Sequence, residues 1–273
     1  MPELPEVETV AAGLRNLIIG QRIDSARILT KQLARVNPKN FSSIVSGKTI
    51  KAVRRKGKQI IIELSGGWIL WVHFMMTGKL WLLEPDEPET KFDGAVFWLQ
   101  PIDKKLVFYD QRRFGRLKLL RNGGLFHLKE YARLGPDALE VSAEEFVQRL
   151  KERKKGLKSL LLDQTAIAGL GNIYADESLF LAKIHPAAAS SQLSKKRLSG
   201  LYSSVQKVLA RAIQAGGSSI RDYSAVDGRR GYFQIEHHVY QKTGLPCPVC
   251  GGKVKRILVA QRSTHFCPRC QKK

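Results

Sequence analysis

The 273-residue sequence predicts an α+β fold, in which one N-terminal helix leads into a β-sandwich, followed by a helical part and a small β-type tail. Three observations carry that expectation. Apolar residues recur at three- and four-residue steps from Val7 through Leu17, short β-rich runs fill Arg22 to Leu120, and helical spacing returns after Asn122-Gly-Gly124.

The first helix is expected to begin almost at residue 2 and to end near Gly20, because Val7, Val10, Leu14 and Leu17 share one face. Gln59 to Leu64, Trp68 to Phe74, Ala95 to Leu99 and Lys105 to Tyr109 read as strands, separated by Gly, Pro and Asp clusters. Ala143 to Lys151, Lys158 to Leu162, Ile173 to Ala182 and Ser194 to Ala215 read as helices. From about Phe233 the pattern returns to β-type hairpins carrying the cysteines. These shifts divide the chain into a sandwich over 1–132, a helical domain over 133–232 and a cysteine-bearing module over 233–273. No internal repeat or low-complexity tract interrupts them.

Lys and Arg number 46 against 24 acidic residues, a formal net charge of +22, so the surface seeks a polyanion. The sign of the charge does not choose among DNA, RNA and an anionic membrane. A membrane span is disfavoured because the most apolar stretch, Ile60 to Met76, is broken by Glu63, Ser65, Gly66, Gly67 and His73. The N-terminus, Met-Pro-Glu-Leu-Pro-Glu-Val-Glu, is acidic where a signal peptide is basic. A reducing cytoplasm is the expected location, and a monomer the expected state.

All four cysteines fall in the last 27 residues as Cys247-Pro-Val-Cys250 and Cys267-Pro-Arg-Cys270, with sixteen residues between the pairs. That spacing suits two knuckles closing on one tetrahedral Zn²⁺. Four thiolates leave no open position, so such a metal holds a fold and does not activate water. Between the knuckles runs Val259-Ala-Gln-Arg262-Ser-Thr-His265-Phe, which presents Arg262 near a hairpin tip, as a phosphate contact or as a catalytic group.

At the other end, loss of Met1 would make Pro2 a secondary amine. An α-amino pKa of about 8, lowered by a helix N-terminus and raised by Glu3 and Glu6, leaves a reactive neutral fraction near neutral pH. Such an amine attacks C1′ of a deoxyribose to form an iminium, and Glu3 is placed to shuttle protons. The plainer reading makes Pro2 a first-turn proline and the glutamates complements to the helix dipole.

Pro2-Glu-Leu-Pro-Glu-Val-Glu-Thr9 resembles the signature of bacterial formamidopyrimidine-DNA glycosylases. Arg55-Lys-Gly-Lys58, His73-Phe-Met-Met76-Thr-Gly78, Asp110-Gln-Arg-Arg-Phe-Gly115, Leu134-Gly-Pro136, Asp163-Gln-Thr, Gly169-Leu-Gly-Asn172-Ile-Tyr-Ala-Asp-Glu177, Gly216-Gly-Ser-Ser219 and the cysteine pairs look like that family's landmarks in the same order. The resemblance spans essentially the whole chain. It implies a β-sandwich with an N-terminal helix, a helical domain with a helix-two-turn-helix, a four-cysteine zinc ribbon, and DNA in a basic cleft between domains. It also implies removal of oxidised purines, 8-oxoguanine and formamidopyrimidines, from damaged double-stranded DNA, followed by strand cleavage through β,δ-elimination.

Carried over position by position, the resemblance makes Pro2 the Schiff-base nucleophile, Glu3 the general acid and base, Lys58 a proton donor or phosphate anchor, and Arg262 the donor for the second elimination. Met76, Arg112 and Phe114 become the wedge that fills the stack behind an extruded nucleotide. Arg113, Lys154 and Asn172 become phosphate contacts, and Ser218 to Tyr232 a loop that closes over the base. Alternatives remain: Lys58 and the run Lys151 to Lys158 as solvated charges, Met76 and Phe114 as core, Arg112 in a salt bridge, Asn172 as an N-cap. On a strand, Arg112 and Phe114 would point the same way. Lys91-Phe92-Asp93-Gly94 departs from the family pattern, which often places a histidine on each side of the aspartate. That leaves Phe92 to pack or stack. Two rivals stay in view: a sister glycosylase for oxidised pyrimidines, which Leu4 and the Arg112 to Phe114 motif disfavour, and a non-catalytic zinc-ribbon DNA-binding protein, which would not need Pro2.

Overall fold

The computed structural model describes residues 1–153, 155–219, 225–226 and 228–272. The chain forms two compact units, one of Met1–Ala132 with Gly216–Tyr232, the other of Arg133–Ala215 with Phe233–Lys273. Segment 216–232, assigned from the sequence to the helical part, therefore belongs with the sandwich. Segment 233–273 shares its unit with the helices.

In the first unit α1 (Leu4–Ile18) precedes β1 (Arg22–Ile28), α2 (Lys31–Val36), α3 (Phe41–Val45), β2 (Ile50–Lys56), β3 (Gln59–Leu64), β4 (Trp68–His73), β5 (Gly78–Leu83), β6 (Asp93–Gln100), β7 (Lys104–Asp110) and β8 (Arg116–Arg121). Short helices α4 (Gly124–His127) and α5 (Lys129–Ala132) follow. The strands make two antiparallel four-stranded sheets, ordered β1-β6-β7-β5 and β2-β3-β4-β8. Inward side chains of both, including Phe97, Phe108, Ile60, Ile62, Val72 and Leu117, form one core with Val7, Val10, Leu14 and Ile18 of α1. Strand β3 is apolar on both faces because Ile61 meets a second cluster with Trp71, Leu125 and Leu128.

The second unit holds α6 (Ala143–Lys151), α7 (Leu157–Leu162), α8 (Asn172–Leu181) and α9 (Lys195–Gln214), then the hairpin β9 (Lys255–Val259) and β10 (Arg262–Phe266). Ser142 and Ser194 cap α6 and α9 by accepting the amides of Glu145 and Arg197. Two turns join α7 to α8. Gln164 pins them by donating to the carbonyls of Leu162 and Leu170 and accepting the Gly169 amide. Gly169 has φ of +112°, a conformation L side chains rarely adopt. The expected series of hairpins from Phe233 is in fact a short 3₁₀ turn (Phe233–Glu236), irregular chain and one hairpin, because the knuckle turns replace ladder bonds.

Candidate active site and metal centre

Glu3 is the N-cap of α1, so Pro2 stands just before the helix, and Pro5 rather than Pro2 takes the first-turn role. Glu3 is buried, and its amide donates to Glu6 Oε2 at 2.8 Å, closing a capping box. The other oxygen of Glu6 accepts the Ser218 amide at 2.7 Å. One buried carboxylate thus ties the helix start beside Pro2 to the segment returning at 216–219. Nothing in the local sequence distinguished Glu6 in this way, since its second partner lies 212 residues on.

Lys58 sits in the turn between β2 and β3 and is only 7% exposed, so it is not one of a solvated run. The turn is anchored to α1 through Arg55, whose Nε donates to Glu8 Oε2 at 2.6 Å and whose Nη1 reaches Gly57 O at 3.1 Å. His73, a residue the sequence pattern does not single out, closes β4. Its pKa is lowered to about 4, first by burial and then by the charges of Lys58 and Arg116, so it is neutral at pH 7. Its Nδ1 accepts the Met75 amide at 2.9 Å, which leaves Nε2 carrying the proton. The group Glu3, Lys58 and His73 therefore offers an acid/base, a cation and a neutral N–H donor within one unit.

Asp110 ties the turn that carries Arg112 and Phe114 to Thr77, the neighbour of Met76. Its carboxylate accepts from the Thr77 hydroxyl and from the amides of Arg112 and Gly115. Thr77 Oγ1 also accepts the Arg112 amide at 3.1 Å. A Cβ at Gly78 would lie 2.6 Å from Phe74 O, and one at Gly115 would lie 2.7 Å from Phe108 Cζ, so neither turn tolerates a side chain there. Arg112 and Phe114 occupy this turn and not a strand, because the Gly115 contact and Asp110 end β7. They still meet: the guanidinium carbon lies 5.0 Å from the Phe114 ring centroid. Met76 is 40% and Phe114 50% exposed, so neither is core. Among the described residues Arg112 makes no ion pair.

Arg113, at φ of +56°, turns away and donates to Lys91 O at 3.0 Å. Phe92, which replaces a histidine of the family pattern, packs edge-on to Tyr109 with centroids 5.7 Å apart. Lys154 lies outside the described residues, as do residues 220–224 and 227 of the expected closing loop.

In the second unit Asn172 is the first residue of α8, and Gly171 is the N-cap, so the capping role expected of Asn172 falls to its neighbour. Asn172 Nδ2 donates to Ser263 O at 2.9 Å. Arg262 is exposed and opens β10 directly after the turn residues Ala260 and Gln261, both at positive φ. Glu177, fully buried on α8, accepts the amides of His238, Val239 and Tyr240 and so holds the chain entering the knuckles.

The Sγ atoms of Cys247, Cys250, Cys267 and Cys270 lie within 4.8 Å of one another, with the Cys247–Cys270 and Cys250–Cys267 pairs at 3.8 and 3.5 Å. Four sulfurs about 2.3 Å from a tetrahedral zinc would be about 3.8 Å apart, so the set fits a closed structural ion. The thiol chemistry agrees. The Gly252 amide lowers Cys250 to about 7, whereas lost solvation and the neighbouring sulfurs raise Cys270 to about 12, so the thiols cannot ionise together without a cation between them.

A buried carboxylate at the helix start beside Pro2, an exposed Arg112–Phe114 turn, a two-turn link between α7 and α8 and a closed four-thiol zinc site fit a nucleic-acid repair enzyme. Comparison with known proteins gives the family. The formamidopyrimidine-DNA glycosylase N-terminal domain matches residues 1–117, the H2TH domain of the same enzymes residues 134–224, and the zinc finger found in FPG and IleRS residues 244–273. The chain belongs to the formamidopyrimidine-DNA glycosylase family. It is 45% identical to the formamidopyrimidine-DNA glycosylase of Solibacter usitatus with both chains fully covered, and 40% identical to that of Ligilactobacillus salivarius with 99% of each covered. Among solved structures it resembles Lactococcus lactis Fpg in complex with abasic-site DNA, and a mutant of that protein with Fapy-dG DNA. Each has 39% identity, a TM-score of 0.91 and full coverage of both chains.

Proposed function

We propose that this chain removes oxidised purines from duplex DNA through a Schiff base formed by Pro2, and then cleaves the strand by β,δ-elimination. The chain is a base-excision-repair glycosylase and lyase of its family, and a structural zinc ion is its metal. The observation that carries the mechanism is the buried, capped Glu3 directly after Pro2 at the positive end of α1.

Removal of Met1 turns the Pro2 nitrogen from an amide into a secondary amine. That nitrogen forms a bond to C1′ as the C1′–base bond breaks, and the departing base takes a proton. Glu3 passes the proton released by the amine to O4′ as the C1′–O4′ bond opens, and the nitrogen lone pair completes an iminium that acidifies C2′. Glu3 takes the C2′ proton as the 3′ phosphate leaves. A second elimination releases the 5′ phosphate, with Arg262 as proton donor. Lys58 anchors phosphate, and Met76, Arg112 and Phe114 fill the stack. Asn172, Arg113 and Lys154 bind flanking phosphates. Among the described residues no helix is long and apolar enough to cross a membrane. Work on the chromosome places the enzyme in the bacterial cytoplasm, held at the nucleoid by DNA.

Borohydride trapping tests this. Protein incubated with an 8-oxoguanine·cytosine duplex yields a covalent adduct whose linkage maps to Pro2. Pro2→Gly or an uncleaved N-terminal extension abolishes strand cleavage but keeps salt-sensitive DNA binding. An adduct on a lysine, or normal cleavage by the extended protein, contradicts the mechanism. A Lactococcus lactis relative has also been solved with oxidised-pyrimidine DNA, so paired duplexes decide which lesion this chain prefers.

A further inference from the structure

By sequence Lys158 ends the basic run Lys151 to Lys158, open to solvent or to phosphate. It is instead 0% exposed, and its Nζ lies 2.6 Å from Asp176 Oδ1, in a pair whose side chains are both fully buried. Burying two charges is a poor way to gain stability, because desolvation offsets their attraction and apolar residues of the same volume fill the space as well. What the pair supplies is directed hydrogen bonds, and these converge on one short segment.

Lys158 Nζ donates to Thr264 Oγ1 at 2.8 Å and to Ser263 O at 3.2 Å. Thr264 Oγ1 in turn donates to Arg262 O at 3.0 Å. Asp176 Oδ2 accepts the His265 amide at 2.9 Å and lies 3.1 Å from His265 Nδ1. Asn172 adds a bond to Ser263 O. Every residue from 262 to 265 is therefore tied, directly or through one hydroxyl, to a side chain on α7 or α8.

The cysteine cluster cannot do this alone. Arg262 is five residues before Cys267, about 16 Å along an extended strand, and the turn beyond it has no core of its own. We propose that the buried Lys158–Asp176 pair is a positioning device that aims Arg262 by clamping the start of β10 onto the helices, a hold added to that of the metal. Lys158 and Asp176 are positioning residues, not catalytic ones, and the inference rests on the assignment of Arg262 to the second elimination.

The test uses zinc-loaded protein and a duplex with a preformed abasic site, so that only the elimination steps are read. Lys158→Met combined with Asp176→Leu fills the space without directed donors. Zinc content and the yield of borohydride adduct stay near wild type, while the ratio of β,δ to β product falls roughly tenfold or more, as expected for sub-ångström misplacement of a donor. Adding Arg262→Ala to that pair causes no further fall. Should the pair fail to fold, Thr264→Val decides: it lowers the same ratio and Thr264→Ser restores it. An unchanged ratio in the folded variant, or additive losses with Arg262→Ala, overturns the clamp alone. An unchanged ratio in Arg262→Ala by itself overturns the assignment of Arg262 and the clamp with it.

Discussion

The Arg112–Phe114 turn of the sandwich and the hairpin of the ribbon both expose side chains assigned a role in the proposed function, and each is held in part by a carboxylate that accepts backbone amide protons. Asp110 accepts the amides of Arg112 and Gly115 on either side of Phe114, and Asp176 accepts the His265 amide of β10. The difference lies beneath them. The wedge loops stand on a core built by two full sheets and α1, whereas the knuckles pack on a small cluster of Phe180, Val239, Val254 and cysteines. A segment with so little apolar surface cannot offset its ordering entropy, so it requires covalent or metal closure. Mechanical support for a site is thus supplied by area where area exists and by directed bonds where it does not.

The largest expected effect breaks that comparison at the metal. Chelation of zinc, which contributes on the order of 10 kcal/mol in isolated zinc modules, abolishes amide protection in the hairpin and weakens duplex binding. Protection in the sandwich strands remains, and hydrogen exchange with and without chelator measures both. Equal loss in both regions would show that the ribbon supports the sandwich.

The next effect is at His73. A folded pKa near 4 against an unfolded 6.5 means the unfolded state binds more protons between those values, so stability is complete above about pH 6.5 and is lost as pH falls towards 4. The loss reaches up to about 3 kcal/mol at pH 4. Denaturant melts of wild type and His73→Gln across that range should converge as the pH falls.

Gly115→Ala pushes a methyl into the Phe108 ring and Asp110, costing about 1–3 kcal/mol and misplacing Arg112 and Phe114. Glycosylase turnover should fall more than binding does, which single-turnover kinetics separates from a plain loss of stability. The smallest effect sharpens the ribbon side. Ala260 and Gln261 hold the two positive-φ positions of the hairpin turn, where glycine or asparagine is favoured. Gln261→Gly should stabilise the zinc-loaded protein by about 0.5 kcal/mol, read as a raised Tm.

Much of this was legible in the chain. Helix α6 runs Ala143–Lys151 as its periodicity requires, and β3 runs Gln59–Leu64, because apolar repeats report which face is buried. The paired cysteines announced their cluster by spacing alone. Less legible was the turn of Arg112 and Phe114, where strand-like spacing was outweighed by Asp110 and a glycine against Phe108. Lys158 misled for a related reason: a lysine in a basic run looks solvated until Asp176, eighteen residues on, is folded against it.

By itself the sequence determined the order of elements, the four-thiol site and, through its resemblance, the family, on which the proposed chemistry at Pro2 rests. The first two follow from local periodicity and spacing, the family from motifs in a shared order. Only the tertiary structure decided that Glu6 joins the helix start to Ser218, that His73 stays neutral, and that Lys158 and Asp176 aim a distant arginine. Each depends on partners brought together from far along the chain, and on the loss of water around them, which no local pattern encodes.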